Sequence, residues 1–347
     1  MLNEASILEA LKGVKYPGYS RDIVSFGLVK HAAAAHGAVN VAIELTTPSA
    51  NVATQIKAEC ERVLRAMPGV TQLIVEVRTA AGAAPRTLGP QQHKVPGIAR
   101  VVAVASGKGG VGKSTCSVNL ACALARLGLR VGLLDCDIYG PSIPLMMGVH
   151  GRPAVADTPE GERLLPLESH GVKLMSMGFL LYGDQPVIWR GPMIMKTIQQ
   201  FINQVEWGEL DLLLVDLPPG TGDAQLSLCQ TVPLDGGVII TTPQEASLGV
   251  VRKGIAMFHK VNVAILGIVE NMSFFTTPDG QRLEIFGHGG GAAEAARQNV
   301  PFLGEVPLFT EIREGGDEGL PVNVSQPEGA PAQCFVKIAA ALREKFT

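Results

Sequence analysis

The stretch that most constrains this chain is Val101 to Thr115, VVAVASGKGGVGKST. Val101 to Ala105 is apolar and rich in β-branched residues, which predicts a buried strand. The run breaks into glycine and then into a helix starting near Ser114. Gly107, Gly112, Lys113 and Ser114 satisfy G-x-x-x-x-G-K-[ST], the pattern of a phosphate-cradling loop. Its glycines let the backbone curl until successive N–H groups face inward. Those amides, with the helix N-terminus behind them, attract phosphate. In such a loop Lys113 reaches the β- and γ-phosphates, and Ser114 places its hydroxyl on Mg²⁺.

Two acidic strand ends follow. Val131 to Leu134 reads as a strand and ends in Asp135-Cys136-Asp137. Carboxylates at the C-terminal end of a parallel strand sit beside the ligand crevice. Asp135 could orient water or Mg²⁺, whereas Asp137 could instead cap the following turn. Leu210 to Val215 is a continuous apolar run, as in a buried parallel strand, and ends at Asp216. This is a Walker B arrangement, which puts Asp216 beside Mg²⁺. The Pro/Gly run from Leu217 to Asp223 fixes a loop able to sense a γ-phosphate. Asp223 is a candidate cap for a helix over Ala224–Thr231.

The remaining pattern alternates strand and helix. Strands are expected at Arg163–Leu167, Val172–Met177, Gly237–Thr241, Val263–Glu270 and Phe302–Val306. Helices are expected at Ser117–Leu127, Ile194–Val205, Glu245–Phe258, Ala292–Asn299, Glu311–Asp317 and Ala330–Lys345. The recurring β-α order predicts an α/β fold, a mostly parallel sheet with helices on both faces. The strand ending at Glu270 delivers Asn271-Met272-Ser273; the Asn271 amide could bond a purine edge or tie up a turn. His288, in the glycine-rich stretch after Phe286, could cap or line a site.

At 347 residues the chain exceeds a typical single domain. Residues 1–80 read as a small α+β domain in the order α-β-β-α-β. It comprises a short helix around Ile7, Leu8 and Leu11, strands at Ile23–Lys30 and Val39–Leu45, a helix over Val52–Met67 and a strand at Val70–Val77. Hydroxyls of the Thr46-Thr47-Pro48-Ser49 turn can cap the second helix. Residues 81–98 are rich in Ala, Gly and Pro and read as a linker, with His93 solvated in it. Residues 99–347 form the P-loop domain.

Composition narrows the function. The net charge of −3, without a strong basic run, argues against nucleic-acid binding. No apolar stretch approaches the roughly 18 residues of a membrane span. The segment MLNEASILEALKG is acidic and lacks the apolar core of a signal peptide. The six cysteines, Cys60, Cys116, Cys122, Cys136, Cys229 and Cys334, form no C-x-x-C pair, so a reducing, cytoplasmic compartment is expected. Cys60, flanked at helical spacing by Ile56 and Leu64, reads as a core residue. Met175, Met177, Met193 and Met195 either fill a core or offer a mobile surface to a partner.

Lys108-Gly109-Gly110-Val111-Gly112-Lys113-Ser114-Thr115 resembles the deviant Walker A of the MinD/Mrp class of P-loop ATPases. The likeness extends through Asp135 to Ser142 (DCDIYGPS), Asp216 to Asp223 (DLPPGTGD), Thr242-Pro243-Gln244-Glu245, Glu270-Asn271-Met272-Ser273 and IFGHGGG. Together these resemble the Mrp/ApbC/Nbp35 iron–sulfur cluster carrier family. DIVSFGLVK and the stretch from Leu45 make the first 80 residues similar to the MIP18-like domain that precedes the ATPase in many members.

That resemblance implies a slow ATPase acting as a homodimer. It implies ATP and Mg²⁺ bound over Gly107 to Thr115, with Lys113 and Ser114 in their standard roles. Lys108 would reach across the dimer to the partner's nucleotide. Asp135 would help place the attacking water, Asp216 would act through the metal shell, and Asn271 would hold the adenine. A lysine supplied across an interface neutralises developing charge as an arginine finger does.

The resemblance also implies a [4Fe–4S] cluster delivered to apo iron–sulfur proteins or exchanged with scaffold proteins. Here the sequence departs from the family. Its bridging cluster sits on a C-P-x-C stretch shortly after N-M-S, and this chain has Phe275 to Gly280, FTTPDG, with Thr277 where the first cysteine would stand. Threonine and aspartate oxygens are poor substitutes for thiolate on iron. The small domain likewise carries Asn51 and no cysteine in its T-P-x-x-x stretch. Two readings follow: a carrier with atypical or partner-shared ligands, or a nucleotide-switched dimer that binds a protein partner and carries no cluster.

Overall fold

The computed structural model describes residues 3–15, 22–25, 27–35, 37–45, 50–79, 94–158, 161–180 and 191–346. The chain divides into two compact units, Met1–Gln91 and Gln92–Thr347.

The first unit contains α1 (Glu4–Leu11), β1 (Val29–Ala35), β2 (Ala38–Leu45), α2 (Ala50–Arg65) and β3 (Gln72–Thr79). Asn3 caps α1, accepting the N–H of Ser6 at 2.9 Å. The strands form one sheet in the order β1-β2-β3, antiparallel then parallel. Ile7, Leu11, Val41, Ile43, Ile56 and Leu64 fill its core together with Cys60, which is buried as its spacing implies. The expected strand at Ile23–Lys30 is displaced. Residues 22–25 instead make a turn in which the Asp22 carboxylate accepts the N–H groups of Val24 and Ser25 at 3.0 and 2.7 Å. Asp side chains favour such turns over a ladder, so the strand starts only at Val29. The Thr46–Ser49 turn and His93 lie outside the described residues.

The second unit opens with β4 (Val101–Ser106), α3 (Lys113–Arg126), β5 (Val131–Asp135) and α4 (Ile143–Met146). Four short strands follow: β6 (Val155–Thr158), β7 (Gly161–Leu164), β8 (Leu167–Ser169) and β9 (Val172–Ser176). Next come α5 (Gly191–Asn203), β10 (Leu212–Asp216), α6 (Asp223–Thr231), β11 (Gly236–Thr241) and α7 (Glu245–Lys260). The unit closes with β12 (Ile265–Thr276), β13 (Arg282–Leu283), α8 (Gly290–Gln298), β14 (Phe302–Leu308), α9 (Thr310–Glu318), α10 (Val322–Ser325) and α11 (Ala330–Arg343).

The main sheet runs β13-β12-β11-β4-β10-β5-β9-β8, with β14 also on β12. It is parallel except at β8 and β13. Strands β4, β5, β10 and β11 are buried at every position, which is why they read as unbroken apolar runs. Helices cover the sheet, as the β-α alternation predicts. Val95 and Ile98 are buried in this core, and Ala99 donates its N–H to Leu210, so the residues just before β4 belong to the edge of the P-loop unit.

Four local expectations are corrected. The strand expected at Arg163–Leu167 is two strands, because Pro166 has no N–H to continue a ladder. The strand expected to stop at Glu270 continues to Thr276. Asn271-Met272-Ser273 therefore lies inside β12, where the register with β14 shifts and Met272 takes a φ of 56°. Asp223 does not precede its helix: Gly222 is the N-cap and Asp223 the first helical residue. The last strand passes through Pro307 to Leu308.

Candidate functional site

The loop from Ser106 to Lys113 joins β4 to α3 at the C-terminal edge of the sheet. Gly112, the N-cap of α3, has a φ of 78°, a conformation that favours glycine. At Gly107 the constraint is space, since an added Cβ would meet Val250 of α7 at 2.7 Å.

Lys113 Nζ donates to Asp216 Oδ2 at 2.5 Å, and Ser114 Oγ donates to the same oxygen at 2.8 Å. Ser117 Oγ donates to the other oxygen, Oδ1, at 2.5 Å. A hydroxyl and a carboxylate side by side are hard oxygen donors of the kind Mg²⁺ takes, so the residues fit that ion. The first turn of α3 and the end of β10 thus meet around one fully buried carboxylate. Ser117 has no place in the motif; its signal is only that it lies one turn beyond Lys113 on the same helix face.

Asp135 is the register partner of Asp216 across β5 and β10. Its Oδ2 accepts the hydroxyl of Ser176 at 2.8 Å, and Oδ1 accepts the N–H of Asp137 at 3.1 Å. Burial, and then the charge of Asp216, push the Asp135 carboxyl up to about 7. Ser176 is held in turn, because its oxygen accepts the Gly178 N–H at 2.9 Å. Sequence reading missed Ser176, which becomes visible only when β9 is aligned on β5, where it stands opposite Asp135. Asp137 takes the other role open to it: Oδ1 accepts the N–H groups of Tyr139 and Gly140, capping the turn.

Lys108 is half-buried and donates to Gln244 Oε1 at 3.3 Å. Asn271 Nδ2 donates to the Val111 carbonyl at 2.8 Å, which ties β12 to the phosphate loop. Beside it opens a cleft of about 460 Å³ lined by Gly112, Asn271, Pro307, Phe309, Ile312 and Arg313 among others, the right size for a nucleoside. A smaller hollow of about 210 Å³, lined by the loop from Lys108 to Thr115, adjoins it at Gly112.

The cysteines do not assemble into a ligand set. Cys60, Cys116, Cys122, Cys136 and Cys229 are buried, and Cys334 is half-buried. Burial pushes the thiols of Cys60, Cys116, Cys122 and Cys229 up to about 12, and it also pushes that of Cys136 well above the usual thiol range. Where a C-P-x-C would lie, Thr277–Gly280 forms the tight turn between β12 and β13, closed by Gly280 N–H on the Thr277 carbonyl at 2.9 Å. The Thr277 hydroxyl bonds Asp279, so the polar oxygens there serve the turn. The residues present do not fit an iron–sulfur cluster bound by this chain's thiolates alone. Met175 and Met177 are core, whereas Met193 is half exposed.

Both units match known protein families. The family described as the NUBPL iron-transfer P-loop NTPase matches residues 97–343. An iron–sulfur cluster assembly protein family matches residues 4–77. An iron–sulfur cluster carrier protein of Synechocystis is 47% identical over 350 residues, 100% of this chain and 99% of its own. A nucleotide-binding protein of Archaeoglobus fulgidus, solved with ADP, is 41% identical with a TM-score of 0.59, covering 69% of this chain and 92% of its own. The cell-division ATPase MinD of Pyrococcus furiosus shares the fold, with a TM-score of 0.54 at 24% identity over 72% of this chain and 100% of its own.

Proposed function

The chain belongs to the NUBPL iron-transfer P-loop NTPase family, and from that premise we propose that it hydrolyses ATP to drive iron–sulfur cluster transfer or assembly, with the cluster as cargo. The observation that carries the reading is the convergence of Lys113, Ser114 and Asp216 at the phosphate loop. The N–H groups from Gly109 to Thr115 hold the phosphates. Lys113 leaves Asp216 for the β- and γ-phosphates, and Ser114 and Asp216 would together hold Mg²⁺. Bound there, the ion would supply charge neutralisation at the transferring phosphoryl group. Asp135, oriented by Ser176, positions the attacking water. Asn271 and the cleft next to it take the adenine.

We place Lys108 on the nucleotide of a second copy in a homodimer, which requires it to give up Gln244. Hydrolysis is then coupled to dimer geometry, and the loop from Leu217 to Asp223 carries the γ-phosphate state outward. Because no exposed cysteine pair is available, the thiolates on the cluster come mainly from an apo client or scaffold protein. No helix among the described residues is long and apolar enough to cross a membrane. A second reading, a nucleotide-switched partner-binding ATPase without a cluster, is favoured by the same burial of the cysteines. Iron and acid-labile sulfide, measured on the chain re-isolated after anaerobic reconstitution, alone or in complex with an apo acceptor, separate the two. Iron that co-purifies with the chain supports transfer; a chain free of iron in both preparations supports the switch.

A further inference from the structure

Glu270 and Glu305 stand opposite each other in register on β12 and β14. Like charges facing across paired strands repel, and Glu270 is fully buried. Its carboxylate is fixed by two backbone N–H groups, Gly289 on Oε1 at 2.9 Å and Gly291 on Oε2 at 2.5 Å. His288, from the loop that leads into α8, closes the group. Its Nε2 lies 2.7 Å from Glu305 Oε2, and one ligand atom from each of the three residues lies within 4.8 Å of the other two.

From this arrangement we infer that Glu270, His288 and Glu305 form a binding site for a divalent transition-metal ion, separate from the phosphate loop. One imidazole and two carboxylates are the donor mix that suits Zn²⁺, Fe²⁺ or Mn²⁺, and without sulfur the site is unsuited to a cluster. The outer contacts have the form metal sites take. A ligating histidine generally presents its second nitrogen to a carboxylate, and here His288 Nδ1 faces Glu284 Oε1 at 3.8 Å. Glu270 keeps free lone pairs beyond its two N–H bonds, which hold it in one orientation.

Formal charge suits a bound cation. Three carboxylates, Glu270, Glu284 and Glu305, surround one imidazole, which supplies at most a single positive charge. Arg282 reaches only Glu284, at 3.8 Å, while its guanidinium stacks on Phe274 at 3.7 Å from the ring centroid. Donors around a tetrahedral ion with bonds of about 2.0–2.1 Å are roughly 3.4 Å apart. The site reaches that spacing if the His288–Glu305 pair opens slightly and the more distant donors close in. His288 and Glu305 keep about a third of their side-chain surface exposed (31% and 36%), which leaves a way in from solvent. The ion would pin the α8 loop to β12 and β14 only a few residues from Asn271, and so brace the strand that reaches the phosphate loop.

The test is titration of the full chain with Zn²⁺, read by competition with a chelating indicator, in excess Mg²⁺ and ADP to cover the phosphate loop. Cys334 lies near enough to Glu305 for that charge to act on its thiol, so every protein carries Cys334→Ser to keep sulfur out of the measurement. One Zn²⁺ per chain is expected, with a Kd of about 1 μM or tighter. His288→Ala should weaken it by about 100-fold and Glu284→Gln by about tenfold. Zn²⁺ should raise the melting temperature of the parent and leave that of His288→Ala unchanged. Absence of stoichiometric Zn²⁺, or equal affinity in the parent and His288→Ala, would overturn the inference and leave His288 as a hydrogen-bonding partner of Glu305 only. Circular dichroism confirms that each variant is folded, and ATP turnover on the same samples reports separately on the phosphate-loop reading.

Discussion

Lys113 Nζ lies 2.5 Å from Oδ2 of Asp216, with the two side chains 5% and 0% exposed. Lys113→Ala therefore does two things. It leaves a buried carboxylate without its cation, a loss of about 3–5 kcal/mol. It also removes the group that meets the β- and γ-phosphates. A melting curve without nucleotide should shift downward, and ATP binding and turnover should both be lost. Wild-type turnover in this variant would contradict the assignment of the site.

Lys108 is a different case, because its partner within the chain is a neutral amide 3.3 Å away. Lys108→Ala should leave stability and ATP affinity close to wild type. Turnover should fall by about 10²-fold or more, as when one donor to developing charge is removed. Equilibrium ATP binding beside steady-state phosphate release separates the two effects.

Asp135 sets a pH dependence. Its carboxyl titrates at about 7 in the fold, whereas the unfolded chain releases that proton near 3.9. The folded state binds the extra proton between those values, so this group lowers stability as pH rises from about 4 to about 7. Asp135→Asn cannot titrate. The drop in melting temperature between about pH 5 and about pH 8 should be smaller in the variant than in wild type. Identical drops would show that Asp135 is not the group responsible.

Asn271 bonds the Val111 carbonyl and lines the cleft beside the loop. Asn271→Ala removes a hydrogen bond worth about 1 kcal/mol and a contact to the base. ATP affinity should fall by roughly 5- to 10-fold with turnover at saturation little changed. Isothermal titration with ATP measures it.

The chemistry at the phosphate loop was legible because it is local. A strand, a glycine loop and a helix start lie within fifteen consecutive residues, Val101 to Thr115, and strand ends place Asp135 and Asp216 without knowledge of contacts. What stayed hidden depends on strand alignment. Ser176 matters because β9 is parallel to β5 in one register, and Glu270 meets Glu305 because β14 returns beside β12. Nothing in the spacing of Glu270, His288 and Glu305 along the chain announces that they converge. The Ile23–Lys30 strand failed for the opposite reason: a short-range Asp22 turn overrode an apolar alternation that looked sufficient. The extension of β12 through Asn271 is a bulge held by tertiary pairing, and alternation does not register such a shift.

The most direct test of the account is the rate at which an apo [4Fe–4S] acceptor protein gains its cluster anaerobically from ferrous iron, sulfide and thiol. It should be measured with the full chain and MgATP, with the chain alone, and with Lys113→Ala plus MgATP. An ATP-driven transfer factor predicts faster filling of the acceptor only with wild-type chain and MgATP together. Equal filling in all three, while wild-type chain hydrolyses ATP, would contradict cluster transfer and leave a nucleotide switch.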